Sequence, residues 1–278
     1  MQDIEKMIST LGLSHFNMID HEFIYLQSTI DILITNYQNN FQTIDNEHNQ
    51  YIESLKQTGE YYQPLDEKYA PTITVGEMAE NMPDESFYTL QNFSSIIIES
   101  LLIKHLAYVE DILVQISFLV QKKEHQIIPP NYPDLQNAKA FTDMLKAVEY
   151  IQLITENKLQ INAIREWSII RHLRTLRHKL AHGKRDIILK KSLIDEINKK
   201  ILILQVDTPI QNQGLIAISS SVQSQYESSD STSEWMCSIT SDIKILKELN
   251  SICITFISEV KKMYIKRYYS GINGIVGF

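Results

Sequence analysis

Apolar side chains recur at helical spacing over most of this chain. Ile19, Phe23, Leu26, Ile30, Leu33, Tyr37, Phe41, Ile44, His48, Ile52 and Leu55 follow one another three or four residues apart. Residues so spaced share one side of an α-helix. The stripe predicts a single helix of about 40 residues, roughly 55 Å long. Neither proline nor glycine interrupts it. Such a helix is too long to cover a small core alone, so it predicts an equally long partner or a coiled-coil arm. Residues 59–83 hold two glycines and three prolines and read as a connector.

A second long helix is predicted from about Asp84 to Lys123. Phe87, Leu90, Ile97, Leu101, Tyr108, Ile112 and Leu119 mark its core face. Ile96, Ile98, Leu102 and Ile103 add a second apolar side, so its middle is expected to be buried from several directions. IIPPNYP, Ile127–Pro133, stops the pattern. A third helix is expected over Leu135–Asn157. A fourth runs from about Asn162 to His182, with Gly183 just past its end.

Beyond Gly183 the texture changes. Ile201–Val206, Leu215–Ser219 and Trp235–Thr240 read as short strands. SSSVQSQYESSDSTSE, Ser219–Glu234, reads as a polar hairpin loop expected to be mobile. A last amphipathic helix runs from about Asp242 to Tyr269, with Leu246, Leu249, Phe256, Val260 and Met263 on one side. The predicted fold is mainly all-α: an antiparallel helical bundle with long N-terminal helices and a small β-hairpin or meander before the last helix. Residues 1–82 form the first helix and connector. Residues 83–278 form the bundle, with the β excursion at about 200–240.

Composition fits this picture: 44% hydrophobic and 22% charged residues describe a globular chain with a core. No apolar run reaches the roughly 18 residues of a membrane span. The nearest, Ile96–Leu106, contains Glu99, Lys104 and His105. The N-terminal MQDIEKMISTLG has neither the basic nor the apolar part of a signal peptide. Cys237 and Cys253 form no CxxC pair. Together these predict a cytoplasmic protein in a reducing compartment.

Charge changes the picture. The net charge is −8, yet five of the six arginines lie between Arg165 and Arg185. Three of the eight histidines, His172, His178 and His182, lie there too. The negative net charge argues against nucleic-acid binding over the whole surface but not against a local basic site. On a helical wheel, Ile169, Leu173, Leu176 and Leu180 form the apolar face. Arg171, Arg174, His178, His182 and Arg185 form a stripe on the other side, and Arg177 sits at the border. Like charges at these spacings repel. No acid lies between Glu166 and Asp186, so an anion from a ligand or partner is expected to offset the repulsion. Arginine's planar fork suits phosphate and carboxylate. Ordinary solvation and the helix C-terminal dipole offer a plainer account of Lys179, His182 and Lys184, but they do not explain why arginine is nearly absent from the rest of the chain.

Arg177-His178-Lys179-Leu180-Ala181-His182-Gly183 resembles the signature of HEPN domains, an Arg and a His separated by four to six residues late in a core helix. Four residues separate Arg177 from His182, and His178 takes the polar position after the arginine. The resemblance covers about Asp84–Lys184 and the last helix. The N-terminal helix and the strands are not typical of the minimal domain. The resemblance implies a metal-independent endoribonuclease of a prokaryotic toxin–antitoxin or antiphage system, with RNA as substrate, no cofactor and no metal. Arg177 and His182 are then the catalytic pair. His182 acts as general acid or base and Arg177 stabilises charge on the phosphate. His178 and Glu110 support the site, Glu110 by orienting it. Arg171, Arg174, Lys184 and Arg185 hold the RNA backbone. An antitoxin or other defence-system protein is an implied partner.

Geometry constrains this reading. Five residues turn an ideal helix by about 140°, so one straight helix aims Arg177 and His182 apart. Either the helix breaks near Gly183, or two protomers pair to build a composite site. HEPN proteins dimerise, so the resemblance implies a homodimer. The alternative is a non-catalytic module binding nucleic acid, a nucleotide or an acidic protein partner. His178 and His182 have metal-ligand spacing, but HKLAH lacks the glutamate of HExxH and its neighbours are cations. YIKRYY, Tyr264–Tyr269, mixes cations and aromatics as single-stranded RNA sites do, and equally suits an ordinary terminal helix.

Overall fold

Helices dominate the structure, as the periodicity predicts, and a three-stranded antiparallel sheet precedes the last of them. The computed structural model describes residues 13–60, 74–80, 84–124, 143–181, 187–201, 214–218 and 234–269. The structural statements below concern those residues. The Ser-rich segment 219–233 and most of the predicted strand Ile201–Val206 lie outside them.

Helix α1 spans Leu13–Thr58. Phe23, Leu26, Ile30, Ile34 and Ile52 are buried, and Leu33 and Tyr37 pack beside them. Helix α2, Val75–Glu80, lies within the predicted connector. Thr74 and Glu77 form a reciprocal capping box at its start: Glu77 N donates to Thr74 Oγ1 (3.2 Å) and Thr74 N to Glu77 Oε2 (2.8 Å). Gly76 lets α2 touch α1. A Cβ there would lie 2.5 Å from Lys56 Cγ and 2.9 Å from its backbone nitrogen.

Helix α3, Glu85–Glu124, starts at Asp84, whose Oδ1 accepts from Ser86 N at 2.7 Å. It runs antiparallel to α1. Phe23 meets Tyr108 (5.6 Å between ring centroids), Phe41 meets Phe87 (5.3 Å), and His48 Nδ1 lies 3.7 Å from Asp84 Oδ2. The long partner expected for the first helix is therefore the second. The buried seam of α3 lies beside the predicted one. Ile98, Leu102, Leu106, Val109, Leu113, Ile116 and Val120 are fully enclosed. Of the predicted face, Ile112 is buried, whereas Ile97, Leu101, Tyr108 and Leu119 pack at its edge. Ile96 is 60% exposed. The shift arises because α3 is wrapped by α1, α4, α5 and α7 together, so no single stripe defines its inside.

Helix α4, Met144–Ile154, is shorter than predicted, and residues 135–142 of that expectation lie outside the described part. A 3-10 turn, Ile161–Ala163, leads to helix α5, Trp167–Ala181. Two elements after α5 were absent from the sequence expectation. Strand β1 is Ile187–Lys190 and helix α6 is Lys191–Lys200. Strands β2, Ile216–Ile218, and β3, Glu234–Ile239, fall where the alternation put them. The sheet order is β1-β3-β2, with Ile187 opposite Cys237 and Ile216 opposite Ile239. Asn198 ties α6 to β2, donating to Ile216 O (2.7 Å) and accepting from Ile216 N (2.9 Å).

Helix α7, Ile245–Tyr269, closes the bundle. Its Phe256 stacks on Trp167 of α5 with centroids 5.6 Å apart. Among the described residues no helix is long and apolar enough to cross a membrane.

One buried polar chain links three helices. His105 Nδ1 lies 2.6 Å from Leu101 O and its Nε2 2.9 Å from Asn250 Oδ1, and the neutral ring donates its one N–H to one of these two oxygens. Asn250 Nδ2 in turn donates to Gln27 Oε1 at 2.7 Å. Burial pushes the His105 pKa below its ordinary 6.5. The unfolded chain therefore takes up the proton first as pH falls. Stability from this group is complete above the unfolded value and declines as pH drops toward the lowered folded one. Thermal unfolding between pH 7.5 and 5 is expected to show this acid loss (~2.5 pH units bracketing the His range). A His105→Asn variant should give a flatter profile. A profile parallel to the wild type assigns the loss to other groups.

Candidate functional site

Helix α5 carries the cation cluster, and its inward arc decides the geometry. Trp167, Ile169, Ile170, Leu173 and Leu176 are buried. At 100° per residue, Arg177 falls between Leu173 and Ile170, well inside that arc. A guanidinium in that position needs a counter-charge, because a half-buried unpaired cation is costly. Glu110 on α3 supplies it, with Oε2 2.6 Å from Arg177 Nη1. One turn earlier on α5, Arg174 Nη2 donates to Asp143 Oδ2 at the start of α4.

Both carboxylates also hold the N-terminus of α4. Asp143 is its N-cap, accepting from Leu145 N through Oδ1 at 2.8 Å. Glu110 Oε1 accepts from Met144 N at 3.3 Å. Each acid thus bridges a helix start and an arginine. The partial positive charge of the α4 N-terminus favours both anions there.

This arrangement alters the electrostatic expectation. The acids missing from the sequence around α5 arrive from other helices and neutralise two of its cations. Two more side chains of α5 make interelement contacts. His172 Nδ1 lies 3.1 Å from Glu196 Oε2 of α6, and Lys179 Nζ donates to Ile188 O of β1 at 2.8 Å. Arg171 and His178 lie exposed on the outer face of α5. His182, Lys184 and Arg185 lie outside the described residues. Of the expected site, the structure therefore brings Arg177 and Glu110 together, with Arg174 beside them. The placement of His182 and the break at Gly183 are not described.

The arginines differ in how their forks are used. Arg267 of α7 directs both Nε (3.0 Å) and Nη2 (2.6 Å) at Glu124 Oε1, where Tyr268 Oη also donates (2.6 Å). Tyr264 and Tyr269 are buried. The Tyr264–Tyr269 segment thus fastens α7 to the end of α3, and its aromatics are not laid out as a surface for bases. Arg174 and Arg177 each contact their acid through one nitrogen only, among the described residues. Their remaining N–H groups keep the geometry to grip a further anion.

No family model, curated protein or solved structure matches the chain. The site is therefore read from its own residues. Sequence reasoning missed Asp143. The expected third helix began at Leu135, which put Asp143 in a helix interior. An Asp directly before the apolar run Met144–Ile154 is the capping signal that marks it. Among the described residues no group of three or more His, Cys, Asp or Glu side chains is placed to hold a metal ion.

Proposed function

We propose that this protein is a metal-independent endoribonuclease of HEPN type, belonging to a prokaryotic defence or toxin–antitoxin system. The observation that carries the reading is the Arg177–Glu110 pair. An inward-facing guanidinium is fixed by a carboxylate on the neighbouring core helix, at the position where the Arg-x4-His motif asks for one. RNA supplies its own nucleophile, the 2′-OH. His182 moves the proton, and Arg177 stabilises the charge that grows on the phosphate. Arg171, Arg174, Lys184 and Arg185 hold flanking phosphates. The five-residue offset favours a homodimer in which Arg177 and His182 of two chains share a site.

The test is RNA cleavage by purified protein in EDTA. Wild type is expected to cleave and His182→Ala to fail. Equal cleavage by both, or none by either, overturns the proposal. Salt-sensitive RNA binding without turnover would leave the non-catalytic binding module in its place. Mixing His182→Ala with Arg177→Ala chains is expected to restore cleavage if two protomers share the site. Silence of the mixture, with both singles folded and dimeric, places the whole site in one chain.

A further inference from the structure

The Asp143–Arg174 pair belongs to no part of the motif, yet it is built like the Arg177–Glu110 pair beside it. In each, one carboxylate oxygen is fixed by a backbone N–H of the α4 start and the other faces a guanidinium of α5. Asp143 itself is pinned, since a capping side chain that accepts from the helix backbone loses its rotamer freedom. Its second oxygen therefore points in a set direction, and Arg174 follows it. The contact uses one guanidinium nitrogen, and about a third of the Arg174 side chain (33%) stays open to solvent. That is how an arginine is held in place while its other donors stay available. Arg267, with Nε and Nη2 both directed at Glu124, shows the contrasting form, held through two nitrogens.

We infer that Asp143 is a positioning residue, holding Arg174 so that its remaining N–H groups meet an RNA phosphate next to the scissile one. The inference rests on the ribonuclease reading and gives the two pairs different tasks. Arg177 with Glu110 acts where charge develops, so it governs kcat. Arg174 with Asp143 binds a phosphate equally in ground and transition states, so it governs KM. The substrate class follows: a strand with a phosphate on the Arg174 side of the cleaved bond. Two guanidiniums one helical turn apart cannot both be used by a minimal substrate that ends at the cleaved bond.

Asp143→Asn separates the roles of the residue. Asparagine caps helices as well as aspartate does, so the fold should stand, with the unfolding midpoint lowered modestly because the partly exposed Arg174 loses its counter-charge. The charge that directs Arg174 is gone. The expected result is a KM for single-stranded RNA raised several-fold with kcat unchanged. The dependence of log affinity on log salt should fall by about 0.7, the loss of one phosphate contact on a single strand. Arg174→Gln should give the same changes, and the double variant no more than either single. A dinucleotide cleaved at its only phosphate should not distinguish wild type from Asp143→Asn.

Tighter binding by Asp143→Asn would show that Asp143 merely competes with phosphate and would overturn the inference. Unchanged KM, or additive effects of the two substitutions, would overturn it as well. These outcomes require an active wild type. A wild type that neither cleaves nor binds RNA removes the ribonuclease reading itself, so the two failures are distinct.

Discussion

Arg177→Ala is expected to lower the RNA cleavage rate by about 10²–10³-fold, the usual effect of deleting one donor to a developing oxyanion. The loss should fall on kcat, because the contact strengthens only as charge builds on the phosphate. A structural effect must be separated from this. Removing the guanidinium leaves Glu110, whose side chain is 20% exposed, with the Met144 N–H as its remaining described partner. A half-buried carboxylate without its counter-ion destabilises by roughly 1–3 kcal/mol. Arg177→Lys resolves the two. Lysine keeps the charge opposite Glu110 but lacks the planar fork. It should unfold close to the wild type while losing most of the activity. Full activity in Arg177→Lys would show that a point charge suffices. Glu110→Gln retains the size of the side chain and an acceptor for Met144 N. It should reduce kcat through a loosened Arg177, with KM little changed.

The contrast between the two carboxylates shows what the chain reveals unaided. Glu110 is conspicuous because, with Asp111, it interrupts an otherwise apolar stretch of a long helix. Its alignment with Arg177 across 67 residues is set by how α3 and α5 pack, since the wheel left Arg177 at a border and α3 with apolar residues on several sides. Asp143 carries no such mark while the helix around it is drawn too long. The same physics separates the rest of the fold. Helices α1, α3 and α7 are legible because each repeats its apolar spacing over many turns. Helix α6 buries only Ile194 and Ile197 among ten residues, so its period has hardly begun before it ends. In β1, Ile187, Ile188 and Leu189 stand in a row, though only Ile187 and Leu189 face the core. The exposed Ile188 hides the alternation that marks a strand. The cations of α5 looked unmatched because their acids come from helices distant in sequence, and only tertiary packing supplies them.

Leu106→Ala is expected to cost about 2–5 kcal/mol of stability, the range for a buried leucine cut back to alanine. Leu106 has no solvent exposure and belongs to the α3 seam, around which α1, α4, α5 and α7 assemble. The next residue, His105, anchors the polar chain to Asn250 and Gln27, which limits how far α3 can shift to fill the gap. Incomplete collapse puts the cost toward the upper part of the range. For a chain of this size each kcal/mol lowers the melting temperature by roughly 2–4 °C, so a drop of about 10 °C or more is expected. Leu106→Met, which preserves volume, should cost under about 1.5 kcal/mol. Ile96→Ala serves as the comparison on the same helix. Ile96 is 60% exposed, and its loss should stay within about 0.5 kcal/mol. Urea titration of the three variants measures these differences directly. Equal losses at Leu106 and Ile96 would contradict the rotation of α3 that buries the Ile98–Val120 seam. Because that rotation is also what presents Glu110 to Arg177, the same result would remove the geometric basis of the site.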